Sequence, residues 1–143
     1  MSTEISIPMT VGIDPLVDRV RAIHEASPGL VVALTGSVAS GKSTLAKHLA
    51  EKLSTGLDVE TVSTDGFLFP TDYLREQGLF QRKGFPETYD RVAMQMAIAS
   101  VREVPTPFPG YSHITFDPDP DLTRVIDPQD VLIMEGLGFP ERK

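Results

Sequence analysis

Cysteine is absent from the 143 residues, and basic side chains are few. Without cysteine the chain has no disulfide framework, no thiolate zinc site and no cysteine nucleophile. The 13 lysines and arginines stand against 20 acidic residues, a net charge of −7. A chain this acidic lacks the basic face that a general nucleic-acid binder needs, so we expect no nucleic-acid partner.

Long hydrophobic runs are also missing. The longest, such as Leu30 to Leu34, are far too short to span a bilayer. The N-terminus lacks the basic and apolar regions of a signal peptide. We therefore expect a cytoplasmic protein with no membrane association.

The remaining composition is that of an ordinary globular protein, with 41% hydrophobic and 23% charged residues. The length suits one domain with a core of its own. Residues 1–29 are interpreted as a tail and a helix, and residues 30–143 as the core domain.

Hydrophobic periodicity predicts alternating helices and buried strands. Leu16, Val20 and Ile23 share one face of a predicted helix. The predicted helices are 14–26, 42–53, 71–77 and 91–102, and the predicted buried strands are 30–34, 59–64 and 131–134. This alternation is typical of an α/β fold with a mostly parallel sheet between helical layers.

The segment between the last predicted helix and the last predicted strand is harder to interpret. Before this segment, in the predicted helix 91–102, Met94 and Met96 are both expected in the core. The prolines of 105–109 are expected to end the helix 91–102, and 111–116 to be a short strand or an extended loop. The acidic, proline-rich stretch 117–130 is interpreted as a solvated connection.

The strongest motif follows the first predicted strand and opens the second predicted helix. It has the G-x-x-x-x-G-K-[S/T] pattern of a phosphate loop. Its residues are Gly36, Ser37, Val38, Ala39, Ser40, Gly41, Lys42 and Ser43, with Thr44 next in the nucleotide-binding set. Backbone N–H groups and a helix N-terminus form an anion site here. We expect Lys42 to reach the β- and γ-phosphates of ATP, and the Ser43 hydroxyl to bind Mg²⁺.

Two carboxylates come directly after buried strands. Asp65 follows the second predicted strand and Glu135 the last one. Sites in parallel α/β sheets lie at the carboxyl ends of strands, so both are expected beside the phosphate loop. Asp65 is the candidate base and Glu135 the candidate metal residue. Taken alone, Asp65 could equally be a turn residue before Gly66, and Glu135 a solvated residue at a strand exit.

Several longer stretches resemble type I (bacterial) pantothenate kinases, in the phosphoribulokinase/uridine kinase branch of phosphate-loop kinases. They are GSVASGKSTLAKHL (36–49), VSTDGFLFP (62–70), LREQGLFQRKGFPETYD (74–90), PGYSHITFD (109–117) and DVLIMEGL (130–137). The second and third are more specific than the phosphate loop, because no general structural reason makes them recur. The family extends further than this chain, so we expect an incomplete sheet in which residues 30–34 form an apolar edge.

The resemblance implies ATP- and Mg²⁺-dependent phosphorylation of pantothenate, the first step of coenzyme A synthesis, in a dimer subject to feedback inhibition by coenzyme A. By it Asp65 is the catalytic base, and Tyr111 and His113 belong to the pantothenate or coenzyme A pocket. Lys83 is a positive group near the transferred phosphate. Lys47 stands where the family has an arginine that contacts coenzyme A phosphate, and it lacks the bidentate fork.

Other interpretations stay open from the residues alone. His113 could be a satisfied, partly buried histidine, Tyr111 could simply pack, and Arg82 with Lys83 could be a solvated pair. Phe116 replaces a tyrosine usual in the family. The acceptor could instead be a nucleoside or a sugar alcohol, or the chain could bind ATP without transferring phosphate.

Overall fold

The structure is a computed structural model that describes residues 12–27, 29–35 and 42–139. Its helices are α1 (Ile13–Ala26), α2 (Lys42–Leu53), α3 (Thr71–Glu76) and α4 (Arg91–Val101). Its strands are β1 (Leu30–Leu34), β2 (Val59–Ser63), β3 (Thr106–Ser112), β4 (Asp117–Ile126) and β5 (Val131–Glu135). Short 3-10 helices lie at Thr64–Phe67, Phe80–Arg82 and Pro86–Thr88. No helix within the described ranges is long and apolar enough to cross a membrane.

A parallel three-stranded sheet forms the centre, in the order β1-β5-β2. The register aligns Leu34, Glu135 and Ser63 at the carboxyl end of the sheet. Side chains Val131 to Met134 of the central strand are buried, as expected for a parallel sheet covered on both faces. The α/β prediction is confirmed.

The alternation of side chains along β5 divides the core in two. Val131 and Ile133 pack with α1 and α2 on one face. Leu132 and Met134 pack on the other face with α4 and the β3–β4 pair. Because α1 contributes Leu16, Val17 and Val20 to the first cluster, it is packed on the sheet; the domain boundary at residue 30 stays a prediction.

β1 lies at one edge of this sheet. Among the residues that the structure describes, it forms its ladder with β5 alone. Leu30, Val31 and Val32 are half-buried, Ala33 is exposed, and Leu34 is buried. The expected apolar edge strand is therefore found at 30–34.

The prediction of a solvated connection over 117–130 was wrong for residues 117–126, which form the ten-residue strand β4. β4 pairs antiparallel with β3 in a hairpin, with an irregularity between Phe108 and Gly110. The predicted end of the helix before the prolines of 105–109 is confirmed, since α4 ends at Val101, and residues 111–112 belong to β3. The prolines of 105–109 and 118–120 do not prevent pairing, because a two-stranded ribbon has two outer edges and leaves alternate N–H groups unpaired. Strands of this kind tolerate proline at those positions.

The prediction for Met96 was also wrong. Met94 is fully buried, but Met96 is 68% exposed. The two side chains are two positions apart on α4, which turns them to different faces of the helix. The apolar sequence of α4 concealed which face meets the sheet.

Candidate active site

The phosphate-loop motif occupies the connection between β1 and α2. β1 ends at Leu34 and α2 begins at Lys42, so the motif follows a strand and precedes a helix, as a phosphate loop requires. Residues 36–41 lie outside the described residues, as do the side chains of Lys42 and Ser43. The predicted ATP contacts of Gly36, Ser37, Val38, Ala39, Ser40 and Gly41 therefore stay predictions. Thr44 is exposed in the first turn of α2.

Asp65 stands at the carboxyl end of β2. It lies in the 3-10 helix Thr64–Phe67, where its backbone N–H donates a 3.1 Å hydrogen bond to Ser63 Oγ. Its half-buried side chain lines a cleft of about 170 Å³. The cleft is also lined by Thr61, Val62, Ser63, Gly66, Phe108, Pro109, Gly110, Tyr111, His113, Leu122 and Arg124. The structure thus brings together three predicted site residues: Asp65, Tyr111 and His113.

Tyr111 and His113 come from the end of β3 and the turn after it. Their rings meet edge to face with centroids 5.2 Å apart. Tyr111 is half-buried and His113 is exposed. Both rings line the same cleft as Asp65. Tyr111 therefore has a cleft-facing surface in addition to its packing contacts, and His113 is not a buried core residue.

Lys83 joins this group through Tyr111. Its ammonium donates to the Tyr111 hydroxyl at 2.8 Å and to the Phe116 carbonyl at 2.7 Å. It is half-buried, whereas the neighbouring Arg82 is exposed and paired with Glu87. The hydrogen bond from Arg82, then a backbone hydrogen bond and the positive charge of Arg82, hold the pKa of the Glu87 carboxyl below its usual value. The two cations of this segment therefore differ, and only Lys83 contacts the cleft wall.

The hairpin and the Asp65 turn approach each other closely at Gly66. A Cβ on this residue would collide with the carbonyl of Pro109. Only glycine permits so short a distance between the two backbones. Sequence reasoning interpreted Asp65-Gly66 as a turn pair and missed this contact, which holds Tyr111 and His113 near Asp65.

Two buried residues near Asp65, Thr64 and Tyr89, were missed by sequence reasoning. Thr64 is fully buried, and Tyr89 is 4% exposed. Burial, reinforced by the negative charge of Asp65, raises the pKa of the Tyr89 hydroxyl to about 12, although a hydrogen bond with Thr64 opposes the shift. A tyrosine one position after a threonine in GFPETYD offered no periodic signal for this role.

Glu135 and Lys47 line a second cavity, of about 370 Å³. It lies between α2 and β2 and shares Thr61, Val62 and Ser63 with the first cleft. Glu135 is half-buried and Lys47 is exposed. The end of β2 thus separates the two predicted carboxylates, each of which lines its own cavity at the same end of the sheet.

No group of three or more histidine, aspartate or glutamate side chains within the described ranges could hold a metal ion alone. A magnesium ion that accompanies ATP does not need one. Such an ion uses one or two protein oxygens together with phosphate oxygens and water. A half-buried Glu135, paired in register with Leu34 at the end of β1, fits that requirement.

No family model matches the chain. It is 41% identical to a pantothenate kinase of Leifsonia xyli over 94% of this chain and 46% of the relative. It is 46% identical to a pantothenate kinase of Myxococcus xanthus over 76% of this chain and 36% of the relative. The chain therefore spans less than half the length of these curated relatives.

Solved structures give the same fold. A candidate fructose transport system kinase from Silicibacter sp. TM1040 has a TM-score of 0.77 and 30% identity, over 89% of this chain and 64% of that one. A D-glycerate 3-kinase from Cryptococcus neoformans has a TM-score of 0.65 and 23% identity, over 87% of this chain and 51% of that one. The phosphate-loop kinase fold and the resemblance to pantothenate kinases are confirmed.

Proposed function

We propose that the chain carries the phosphate-loop and acceptor-binding part of a kinase that transfers the γ-phosphate of ATP to the primary hydroxyl of pantothenate. One observation carries the proposal. Asp65 lines a cleft with Tyr111 and His113 at the carboxyl end of the sheet, the end at which β1 leads into the phosphate-loop sequence. The identity of 41–46% with pantothenate kinases supports this acceptor.

Asp65 is the proposed base. As the pantothenate oxygen bonds to the γ-phosphorus, the bond to the ADP oxygen breaks, and the hydroxyl proton passes to the Asp65 carboxylate. A positioned base of this kind contributes about 10²- to 10⁴-fold to the rate. Most of the remaining acceleration comes from alignment and charge neutralisation, for which Lys42 and the N–H groups of 36–41 are the proposed contacts.

Mg²⁺ is the proposed cofactor, and it supplies neutralisation of phosphate charge when bound with ATP. Ser43 is the proposed direct contact, as in the phosphate-loop pattern. Glu135 is the proposed second contact. Glu135 is half-buried and pairs in register with Leu34, the last residue of β1.

Tyr111, His113 and Lys83 are the proposed pantothenate contacts. The first two line the Asp65 cleft, and Lys83 is hydrogen-bonded to Tyr111. Lys47, on the wall of the second cavity, is the proposed contact for a phosphate of coenzyme A as feedback inhibitor. A homodimer and a cytoplasmic location, where ATP is available, complete the proposal.

Another alcohol is the alternative acceptor. The likeness to the Silicibacter kinase, at 30% identity, is the observation that favours a sugar. The fold alone does not choose the acceptor, because phosphate-loop kinases share it. A module that binds ATP without transferring its phosphate is a third hypothesis.

An amide NMR titration of the chain separates the acceptors without requiring turnover. Pantothenate, fructose, glycerate and uridine are each added in the presence of ADP and Mg²⁺. We expect saturable shifts at Gly66, Gly110 and His113 with pantothenate, and none of comparable affinity with the others. Gly56, which is exposed after the end of α2 and lines neither cavity, is the control resonance. Tighter binding of a sugar or of glycerate at these residues would refute pantothenate as the acceptor.

A further inference from the structure

The turn between β3 and β4 is fastened to the start of α3. Asp117 Oδ1 accepts a 2.7 Å hydrogen bond from the backbone N–H of Thr71. The Thr71 hydroxyl lies 3.4 Å from the carbonyl oxygen of Phe116. These two contacts join segments 45 and 46 residues apart, so the turn is held by tertiary contacts as well as by its own hairpin.

Phe116 has a backbone conformation that L-residues rarely adopt. Its φ is +57°, and it is the one non-glycine residue with positive φ within the described ranges. Its N–H donates to the Ser112 carbonyl at 2.8 Å. Such a conformation costs energy and persists where the surrounding structure enforces it. Here it directs the Phe116 carbonyl toward Thr71 and Lys83.

The Lys83 ammonium therefore has two acceptors on the hairpin. It donates to the Phe116 carbonyl and to the Tyr111 hydroxyl. An ammonium group has three N–H donors, and two of them have acceptors among the described residues, which leaves the third for a ligand. Because the Tyr111 oxygen accepts from Lys83, the Tyr111 proton is available to a second partner, and Tyr111 lines the Asp65 cleft.

We propose that Asp117 is a positioning residue: by holding Thr71 it fixes the Phe116 carbonyl, which in turn orients Lys83 and Tyr111 toward the acceptor. That Lys83 and Tyr111 face the phosphate acceptor rests on the proposed function, whereas the contacts among Asp117, Thr71, Phe116 and Lys83 do not. Asp117 has no place in the cleft lining, so it acts through Lys83 and Tyr111.

The charge state of Asp117 agrees with this role. Hydrogen bonds from the side chain and the backbone of Thr71 hold the pKa of the Asp117 carboxyl below its usual value. The positive charges of Lys83 and Arg75 act in the same direction. The carboxylate is thus ionised at neutral pH and is a strong acceptor for the Thr71 N–H.

The first test measures the accessibility of Lys83 and requires no turnover. The chain is trace-labelled with acetic anhydride, and acetylation of Lys83 is measured by mass spectrometry relative to exposed Lys52. We expect Asp117→Ala to raise Lys83 labelling several-fold, because the ammonium loses its fixed acceptors. Asp117→Asn keeps a carbonyl oxygen for Thr71 and should restore most of the protection.

Asp121→Ala, at an exposed aspartate of the same strand, is the matched control and should leave the labelling unchanged. Unchanged Lys83 labelling in a folded Asp117→Ala protein would overturn the proposal. If Asp117→Ala does not fold, Asp117→Ser replaces it. The serine side chain is polar but too short to reach the Thr71 N–H, so the same rise in Lys83 labelling is expected. Neither result depends on whether pantothenate is the acceptor.

The second test separates binding from chemistry. The kinase reaction of this chain is measured with pantothenate as the acceptor. Asp117→Ala should raise KM for pantothenate about tenfold and change kcat by less than threefold, because Asp65 is unchanged. Asp117→Asn should return KM most of the way. A fall in kcat with unchanged KM would contradict a positioning role, whereas absence of turnover in the wild type would refute the proposed function and leave the labelling result standing.

Discussion

The side-chain oxygen of Thr64 accepts a 3.0 Å hydrogen bond from the backbone N–H of Leu137. This bond ties the residue before Asp65 to the segment that leaves β5 after Glu135. Thr64 is fully buried, so the bond is shielded from water. The two carboxylates at the end of the sheet are therefore held on one rigid support, although they line different cavities.

Gly136 makes this support compact, and its replacement should be costly. Its φ is +143°, and a Cβ there would collide with the Thr64 hydroxyl. We expect Gly136→Ala to lower the free energy of unfolding by about 3 kcal/mol, from strain and overpacking together. Gly56→Ala is the control, since Gly56 also has positive φ but no atom within 4 Å of the added Cβ. It should cost only about 1 kcal/mol, and equal losses in urea denaturation would contradict the crowding.

The two methionines of α4 give a paired test of the core. Met94 is fully buried and Met96 is 68% exposed. We expect Met94→Ala to lower the free energy of unfolding by about 2–5 kcal/mol, and Met96→Ala to change it by about 0.5 kcal/mol or less. Denaturation midpoints of the two variants check this. A larger loss for Met96→Ala would mean that the outer face of α4 is covered.

Tyr89 reports the charge of Asp65. The pKa of its hydroxyl is raised to about 12 by burial and by the Asp65 carboxylate. Removing that charge in Asp65→Asn should therefore lower the Tyr89 pKa, as followed by NMR of ¹³C-labelled tyrosine. Asp127→Asn, at an exposed site, should leave it in place. An unchanged Tyr89 pKa in Asp65→Asn would show that the two groups are not neighbours.

The same raised pKa sets a stability profile at high pH. The unfolded chain ionises near the ordinary tyrosine value of about 10, before the folded protein does. The contribution of neutral Tyr89 is thus complete below pH 10 and is lost as pH rises toward about 12. Urea denaturation at a series of pH values measures this effect. Between about pH 10 and 12 the free energy of unfolding should fall less in Tyr89→Phe than in the wild type.

The sequence predicted the elements whose signals are local. The helix 42–53 agrees with α2 in both bounds, and the buried strand 30–34 agrees with β1. Each has a continuous pattern of apolar residues that one element alone explains. The strand–loop–helix setting of the phosphate loop followed from the same two patterns.

The hairpin and its contacts could not be predicted in this way. Prolines at 118 and 120 argue against a strand unless the partner strand and its register are known. The hydrogen bonds of Lys83 to Phe116 and Tyr111 join positions 33 and 28 residues apart. They depend on tertiary packing, and no periodicity records it. The resemblance pointed to Tyr111, His113 and Lys83, but not to Asp117 or Thr64.

The central experiment is pantothenate-dependent ADP formation with ATP and Mg²⁺, with Lys42→Ala and Asp65→Asn as controls. We expect ADP to appear only when pantothenate is present. We expect this reaction to be lost in Lys42→Ala, and kcat to fall about 10²- to 10⁴-fold in a folded Asp65→Asn. ADP formation that does not require pantothenate, that requires a sugar instead, or that is unchanged in Asp65→Asn would contradict the proposed function.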